Sequence, residues 1–269
     1  MKTRYEDRER YFNELAETSK AYYLDYVGIF KKPVAGCRVL EIGCGEGGNL
    51  LPFAENGCYV AGLDLSERKI ENAAKFFAER GVSGDFFCEN FLEESHLRNV
   101  EKFDIILIHD VIEHIEPEDK AAFFNGIHTY LKPDGIVFFG FPAWQMPFGG
   151  HQQICSSKFC KIPFIHLLPS CIYKRYLKLF KEPQHRIDEL LSIKRSKMTV
   201  GRFKKLCDSC GYKIIDRTLW LISPHYKAKF NLRPVRLGGF MSSIPYLRNF
   251  LSTSCFYILK ESSHFISKH

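Results

Sequence analysis

The chain has 269 residues, 45% hydrophobic and 26% charged, a globular composition that excludes a disordered chain, a collagen-like repeat and a coiled coil. Its net charge of +7 joins two unlike halves. Residues 1–134 carry 16 basic and 25 acidic side chains, net −9; residues 135–269 carry 22 and 6, net +16, with no acid between Asp134 and Glu182. Residues 4–30 read as one or two amphipathic helices, broken at Lys31-Lys-Pro33 because proline disfavours helix in the residue before it. Strands and helices then alternate: strand Arg38–Gly43, helix Gly47–Asn56, strand Tyr59–Leu65, a helix from an Ser66 N-cap to Glu79 with Gly81 closing it, strand Asp85–Asn90, strand Phe103–His109, helix Pro117–Leu131, the turn Lys132–Gly135 and strand Ile136–Pro142. Capping residues and left-handed glycines at helix ends set these limits. The alternation stops over residues 143–198, which are dense in aromatic and basic side chains, and resumes with helix Thr199–Cys210, strand Tyr212–Leu221 and strand Cys255–Lys260.

Strands joined by helical crossovers at this spacing imply a parallel sheet with right-handed connections, and their unbroken apolar runs imply helices on both faces. The expectation is one α/β domain spanning residues 1–269. An N-terminal helical segment covers 1–30, an alternating strand–helix core 31–142, an insertion 143–198 and the C-terminal part of the core 199–269. No apolar run approaches the roughly 18 residues of a membrane-spanning helix, and Met1–Arg8 lacks the apolar core of a signal peptide. A cytoplasmic protein is expected, its ten cysteines reduced. Cys207-Asp-Ser-Cys210 has metal-ligand spacing but no second pair of that kind, and Cys155 and Cys160 are five apart; no metal site is assigned.

The informative stretch is Val39-Leu-Glu41-Ile-Gly43-Cys44-Gly45-Glu-Gly47-Gly48-Asn49-Leu50. Glycines let a backbone turn tightly and approach a ligand. Gly43, Gly45 and Gly48 also satisfy the dinucleotide fingerprint, with Asp64 at the distance of its ribose-binding acid. Four features separate the readings: Glu41 two residues before the first glycine, Asn90 ending the third strand, the run His109-Asp110-Val-Ile-Glu113-His114 after the fourth, and Leu131-Lys-Pro-Asp-Gly135 before the fifth. Together they resemble the class I S-adenosylmethionine-dependent methyltransferases, and most the small-molecule branch that includes the ubiquinone-pathway O-methyltransferases. The resemblance covers residues 31–142 well and 200–260 weakly.

It implies a Rossmann-like, mostly parallel sheet of seven strands, the last antiparallel between the fifth and sixth, with an inserted lid after strand 5. It also implies S-adenosyl-L-methionine as cofactor. Glu41, Gly43, Cys44 and Gly45 would line its methionine part, Asp64 would accept both ribose hydroxyls, and Leu65 would pack on the adenine. Asn90, where the family more often has Asp, and Phe91 would contact the ring, and His109 and Asp110 would sit beside the reactive methyl.

A hydroxyl acceptor needs a base, commonly histidine. His114, in the loop after the fourth strand, and His151, in Phe148-Gly-Gly-His151, are the catalytic candidates, with Glu113 able to orient one of them; a satisfied structural histidine is the competing reading. The glycine pair before His151 suggests a loop of unusual dihedrals. Tyr5, Arg10, Tyr11 and Tyr22 would close over the cofactor, or belong to a helix packed on the sheet. His225 and Tyr226 would complete an acceptor pocket. Trp144, Phe148 and Phe159 with Lys158, Lys161 and Lys174 suit a small-molecule acceptor that is anionic or lipid-linked, or a peripheral contact with an anionic membrane; a nucleic-acid partner is disfavoured because no module signature appears. A quinone-type aromatic acceptor is the rival within the class. A non-catalytic cofactor-binding scaffold and a nicotinamide oxidoreductase are the rivals outside it.

Overall fold

The computed structural model describes residues 7–93 and 100–262; Tyr5 lies outside them. The chain opens with α1 (Arg8–Thr18), a π-helical stretch (Ser19–Tyr23) and α2 (Leu24–Gly28). The core follows as β1 (Arg38–Ile42), α3 (Leu51–Glu55), β2 (Tyr59–Asp64), α4 (Glu67–Glu79), β3 (Asp85–Cys88), β4 (Phe103–His109), α5 (Lys120–Tyr130) and β5 (Leu131–Phe141). The insertion carries short 3-10 turns, α6 (Ser170–Leu179) and α7 (Gln184–Ser196). The remainder is α8 (Val200–Ser209), β6 (Tyr212–Ile222), α9 (His225–Phe230), β7 (Val235–Arg236), α10 (Gly239–Ser243), α11 (Leu247–Leu251) and β8 (Ser254–Glu261).

The sheet order is β3-β2-β1-β4-β5-β8-β6-β7. β1 to β5 are parallel, and β8 runs antiparallel between β5 and β6. The seven expected strands are therefore present, with a two-residue edge strand, β7, added beside β6. Alternation along each strand fills two cores. On one face Ile106, Ile108, Val137 and Phe139 meet Phe123, Phe124 and Ile127 of α5 and Phe203 of α8. On the other, Ile105, Leu107, Ile136 and Phe138 meet Phe12, Tyr23 and Val27 of the N-terminal helices and Phe76 and Phe77 of α4. Each fully buried phenylalanine contributes about 3 kcal/mol of transfer free energy, so these clusters set the stacking of the layers. The N-terminal segment is thus part of the second core. Of its expected lid residues, Tyr22 packs edge-on to Trp220 and Arg10 pairs with Glu14, while Tyr11 reaches the site described below.

Three local expectations change. The helix expected from Gly47 begins only at Leu51, because Gly47 is left-handed (φ +79°) and a turn occupies the residues after it. Ser66 holds the N-cap position of α4 but its side chain makes no capping bond; its N–H instead donates to Asp64 Oδ1 at 3.0 Å. Residues 132–135 form the irregular start of β5, at a register shift against β4, not a free turn.

The insertion has a small core of its own, built from Cys155, Cys160, Ile165, Tyr173, Leu177, Ile187 and Leu190. Lys120 ties it to the loop after β4: its buried ammonium donates to the carbonyls of Ile112 and Ile115 (both 2.7 Å) and to Ser196 Oγ at the end of α7 (2.8 Å). Lys120→Met keeps the stem but strips three acceptors of a charged donor, and should lower the unfolding free energy by about 3 kcal/mol, read from urea denaturation. An unchanged midpoint would show that water replaces the ammonium there.

Candidate active site

The glycine loop is shaped by where its first two amides are spent. Gly43 and Cys44 N–H both donate to the Leu63 carbonyl (2.7 and 2.8 Å), which folds the end of β1 over the end of β2. That fold needs left-handed backbone at Gly43 (φ +77°) and Gly45 (φ +56°), a region side chains disfavour. A Cβ at Gly43 would also stand 2.4 Å from Val111 Cγ2, whereas Gly45 faces open space. The turn brings Gly45 N–H to Asp64 Oδ2 at 3.0 Å, with Lys69 Nζ 3.4 Å from the same oxygen. Asp64 is thus a nearly buried carboxylate held by two main-chain amides, with acceptor capacity left on both oxygens.

Beside it lies a cleft of about 310 Å³ walled by Gly43, Asp64, Leu65, Asn90, Phe91 and Val111, among others. Leu65 is 73% exposed on its rim. Phe91 packs on Phe123 and Tyr130. The Asn90 side chain is engaged locally, accepting from Leu92 N–H and donating to Glu93. Cys44 points away into the core against Gly62, and burial pushes its thiol pKa up, so only its backbone belongs to the loop. Glu41 forms a buried pair with Asn49, a residue with no role expected from the sequence: Asn49 Nδ2 donates to Glu41 Oε1 at 2.7 Å, leaving Glu41 Oε2 and Asn49 Oδ1 without partners. Burial raises the Glu41 pKa to about 8, the nearby Asp64 adding to it. Asn49 was legible as the one polar residue at the far end of the glycine run.

A second cavity of about 280 Å³ lies across the loop after β4. His109, Asp110, His114, His151 and His225 line it, with Tyr11, Met146, Phe148, Gln153, Tyr226 and Lys229 among its other walls. His109 and Asp110, grouped in the sequence with the cofactor residues, belong to this wall. Tyr23 hydroxyl lies 2.8 Å from His109 Nε2, and Asp110 takes a left-handed conformation (φ +54°) where its N–H donates to Gly140. A non-glycine residue held there is a strained position of the kind found at functional sites.

The fold also joins the two histidine candidates. The His114 and His151 rings meet edge to face at 4.9 Å, and His151 Nε2 is 3.8 Å from Glu113 Oε1. Glu113 is 3% exposed, and neither of its oxygens has a hydrogen-bond partner. Burial raises the Glu113 pKa and lowers that of His151 to about 3, so His151 is a neutral imidazole. The unusual dihedral expected before His151 falls on His151 itself (φ +55°). Gly149 and Gly150 serve close approach instead: a Cβ on either would stand 2.3 Å from its nearest neighbour, the Trp144 carbonyl oxygen or His166 Cβ.

Residues 39–135 match the family model described as a methyltransferase domain. The first 119-residue match among curated proteins is a ubiquinone biosynthesis O-methyltransferase of Actinobacillus pleuropneumoniae serotype 5b, 33% identical over 43% of this chain and 50% of the relative. Another, from Chelativorans sp., is 41% identical over 40% of this chain and 41% of the relative. Residues 39–135 are thus similar to methyltransferase domains. The chain spans about half the length of the curated relatives it matches. Across the whole fold it resembles magnesium protoporphyrin IX methyltransferase of Synechocystis, solved with bound SAH, at TM-score 0.55 and 14% identity, covering 93% of this chain and 84% of the other. The first cleft sits at the C-terminal ends of β1 and β2.

The residues of the first cleft fit S-adenosylmethionine. Asp64 offers a fixed carboxylate for a ribose diol and the apolar rim offers a slot for a purine; Glu41 and Asn49, beside the glycine loop and outside the cleft lining, keep two partnerless buried oxygens.

Proposed function

We propose that the chain is an S-adenosylmethionine-dependent methyltransferase that methylates a hydroxyl of a small-molecule acceptor held in the second cavity. The observation that carries this is the loop after β4, which walls both cavities: Val111 and Ile115 face the first, His109, Asp110 and His114 the second. A ligand in each would meet across one strand end, the arrangement that in-line transfer needs. The cofactor supplies an activated methyl group. Asp64, Glu41 and Asn49 bind and orient it, and His151 takes the proton that the hydroxyl gives up. Nε2 of His151 is turned toward Glu113, which leaves Nδ1 as the nitrogen for the acceptor.

The ubiquinone-pathway relatives support a phenolic, quinone-type acceptor, and Met146, Phe148 and Tyr226 supply walls for a ring. The basic C-terminal half and Lys229 at the cavity support an acceptor with an anionic or lipid-linked group. The exposed Phe159 and Leu179, beside Lys158, Lys161 and Lys178 in the sequence, support transient contact with an anionic membrane. No helix among the described residues is long and apolar enough to cross one, and we place the protein in the cytoplasm. The test is release of S-adenosylhomocysteine with phenolic and phosphorylated hydroxyl compounds offered separately. Turnover with neither class, by protein that binds the cofactor, would favour a scaffold.

Glu41 gives a further measurable consequence. With a pKa of about 8 it is protonated at neutral pH, and an arriving ammonium stabilises the carboxylate. Binding S-adenosylhomocysteine at pH 7 should therefore release about one proton. Affinity should rise as pH rises toward 8 and level off above it. Calorimetry in buffers of different ionisation enthalpy reads the release directly. Glu41→Gln should abolish it, and a release that persists in that variant would assign the proton elsewhere.

A further inference from the structure

The insertion holds a polar cluster that the methyl-transfer site does not use. Cys155 and Cys160 are 2% and 0% exposed in its core, and Glu182, 6% exposed, enters from the turn between α6 and α7. One sulfur from each cysteine and a Glu182 oxygen all lie within 4.8 Å of one another. The linear spacing of the cysteines showed two ligands only; the third comes from the far end of α6. The geometry points to a structural zinc site made by Cys155, Cys160 and Glu182.

Three observations carry it. First, the ligand chemistry and spacing fit: Zn–S bonds of about 2.3 Å in a tetrahedron set two sulfurs about 3.8 Å apart, inside the 4.8 Å that bounds the three ligand atoms here. Second, the carboxylate is aimed. Ser157 N–H donates to Glu182 Oε1 at 2.7 Å and Ser156 N–H to Oε2 at 3.0 Å, the outer-shell bonding that fixes a metal-binding carboxylate. Third, the surroundings are polar where an apolar core needs no polarity. Tyr173, fully buried in the same cluster, has a hydroxyl with no hydrogen-bond partner, and it or a water completes the coordination. Arg186, which donates to the Ile154 carbonyl beside the site, together with the metal's two positive charges neutralises two thiolates and the carboxylate. Among the described residues the other cysteine pairs bring no third ligand of this kind. The loop so clipped starts directly after His151, and its Gln153 and Ile154 line the second cavity. The metal therefore braces the acceptor wall.

The test is titration of the full chain, purified with chelator and reductant, with Co²⁺ and then Zn²⁺. One equivalent of Co²⁺ should develop thiolate-to-cobalt charge-transfer and tetrahedral ligand-field bands, and Zn²⁺ should bleach them. Cys155→Ser and Cys160→Ser should lose the bands; His151→Ala and Cys207→Ser should keep them, which separates this site from the Glu113–His114–His151 cluster and from the α8 cysteines. Chelation should also lower the Tm of the wild type. Folded wild-type protein that takes up no cobalt, or binds it without thiolate bands, would overturn the assignment, as would bands that survive in both serine variants.

Discussion

Asp64→Ala is expected to weaken binding of S-adenosylhomocysteine by at least about 100-fold, because two charge-assisted hydrogen bonds to a ribose diol are each worth about 1.5–3 kcal/mol. The loss has a second source in the apo loop. Gly45 and Ser66 N–H both spend their hydrogen bonds on this carboxylate, so its removal frees the turn that shapes the cleft. Asp64→Asn keeps one acceptor oxygen and should fall between, near 10-fold. Titration calorimetry on both variants, with circular dichroism to confirm the fold, measures the effect. An alanine variant that binds like the wild type would remove Asp64 from the ribose and with it the orientation of the ligand in the first cleft.

His151→Ala is expected to lower kcat by about 10²–10³, the range of a lost general base, with KM for the methyl donor unchanged. His114→Ala, which removes a cavity wall but not the ring facing Glu113, should act mainly on the acceptor KM. Glu113 is a positioning residue in this reading: Glu113→Gln keeps a polar group of the same size facing Nε2 and should retain at least a tenth of the wild-type kcat, while Glu113→Ala should lose as much as His151→Ala. The pH profile gives an independent readout. A histidine pKa lowered to about 3 leaves the base neutral at every higher pH, so turnover should show no acid limb near 6.5. A limb at that position, or a His151→Ala enzyme of undiminished kcat, would move the base elsewhere in the cavity. The same shift bears on stability. The unfolded state protonates His151 near 6.5 and the folded state does so only near 3, so this residue's contribution falls as pH drops from 6.5 toward 3.

The parts of the site that could be read from the sequence are those fixed by local geometry. A glycine run between two strands, an acid at the end of the second and a polar residue at the end of the third are each set by neighbours in the chain, and all meet at one cleft. The parallel sheet with helices on both faces followed from crossover connections and apolar runs, whereas the antiparallel last strand was implied by the family resemblance. What was misread depended on contacts distant in sequence. The start of α3 was placed early because the left-handed turn at Gly47 is dictated by packing against Phe86 and Phe77, not by its own neighbours. Gly149 and Gly150 were read as a loop of unusual dihedrals, but the left-handed residue is His151, and Trp144 and His166 crowd the two glycines. Cys155 and Cys160 showed no partner until α6 folded Glu182 back onto them. His109 and Asp110, read from the strand end as lying beside the reactive methyl, line the second cavity together with residues of the insertion and α9.

What the first cleft binds is tested most directly by calorimetric titration of the full chain with S-adenosylhomocysteine and, separately, with NADH. Saturable one-to-one binding of S-adenosylhomocysteine and none of NADH is expected. Binding of NADH instead, or a folded protein that binds neither, would contradict it.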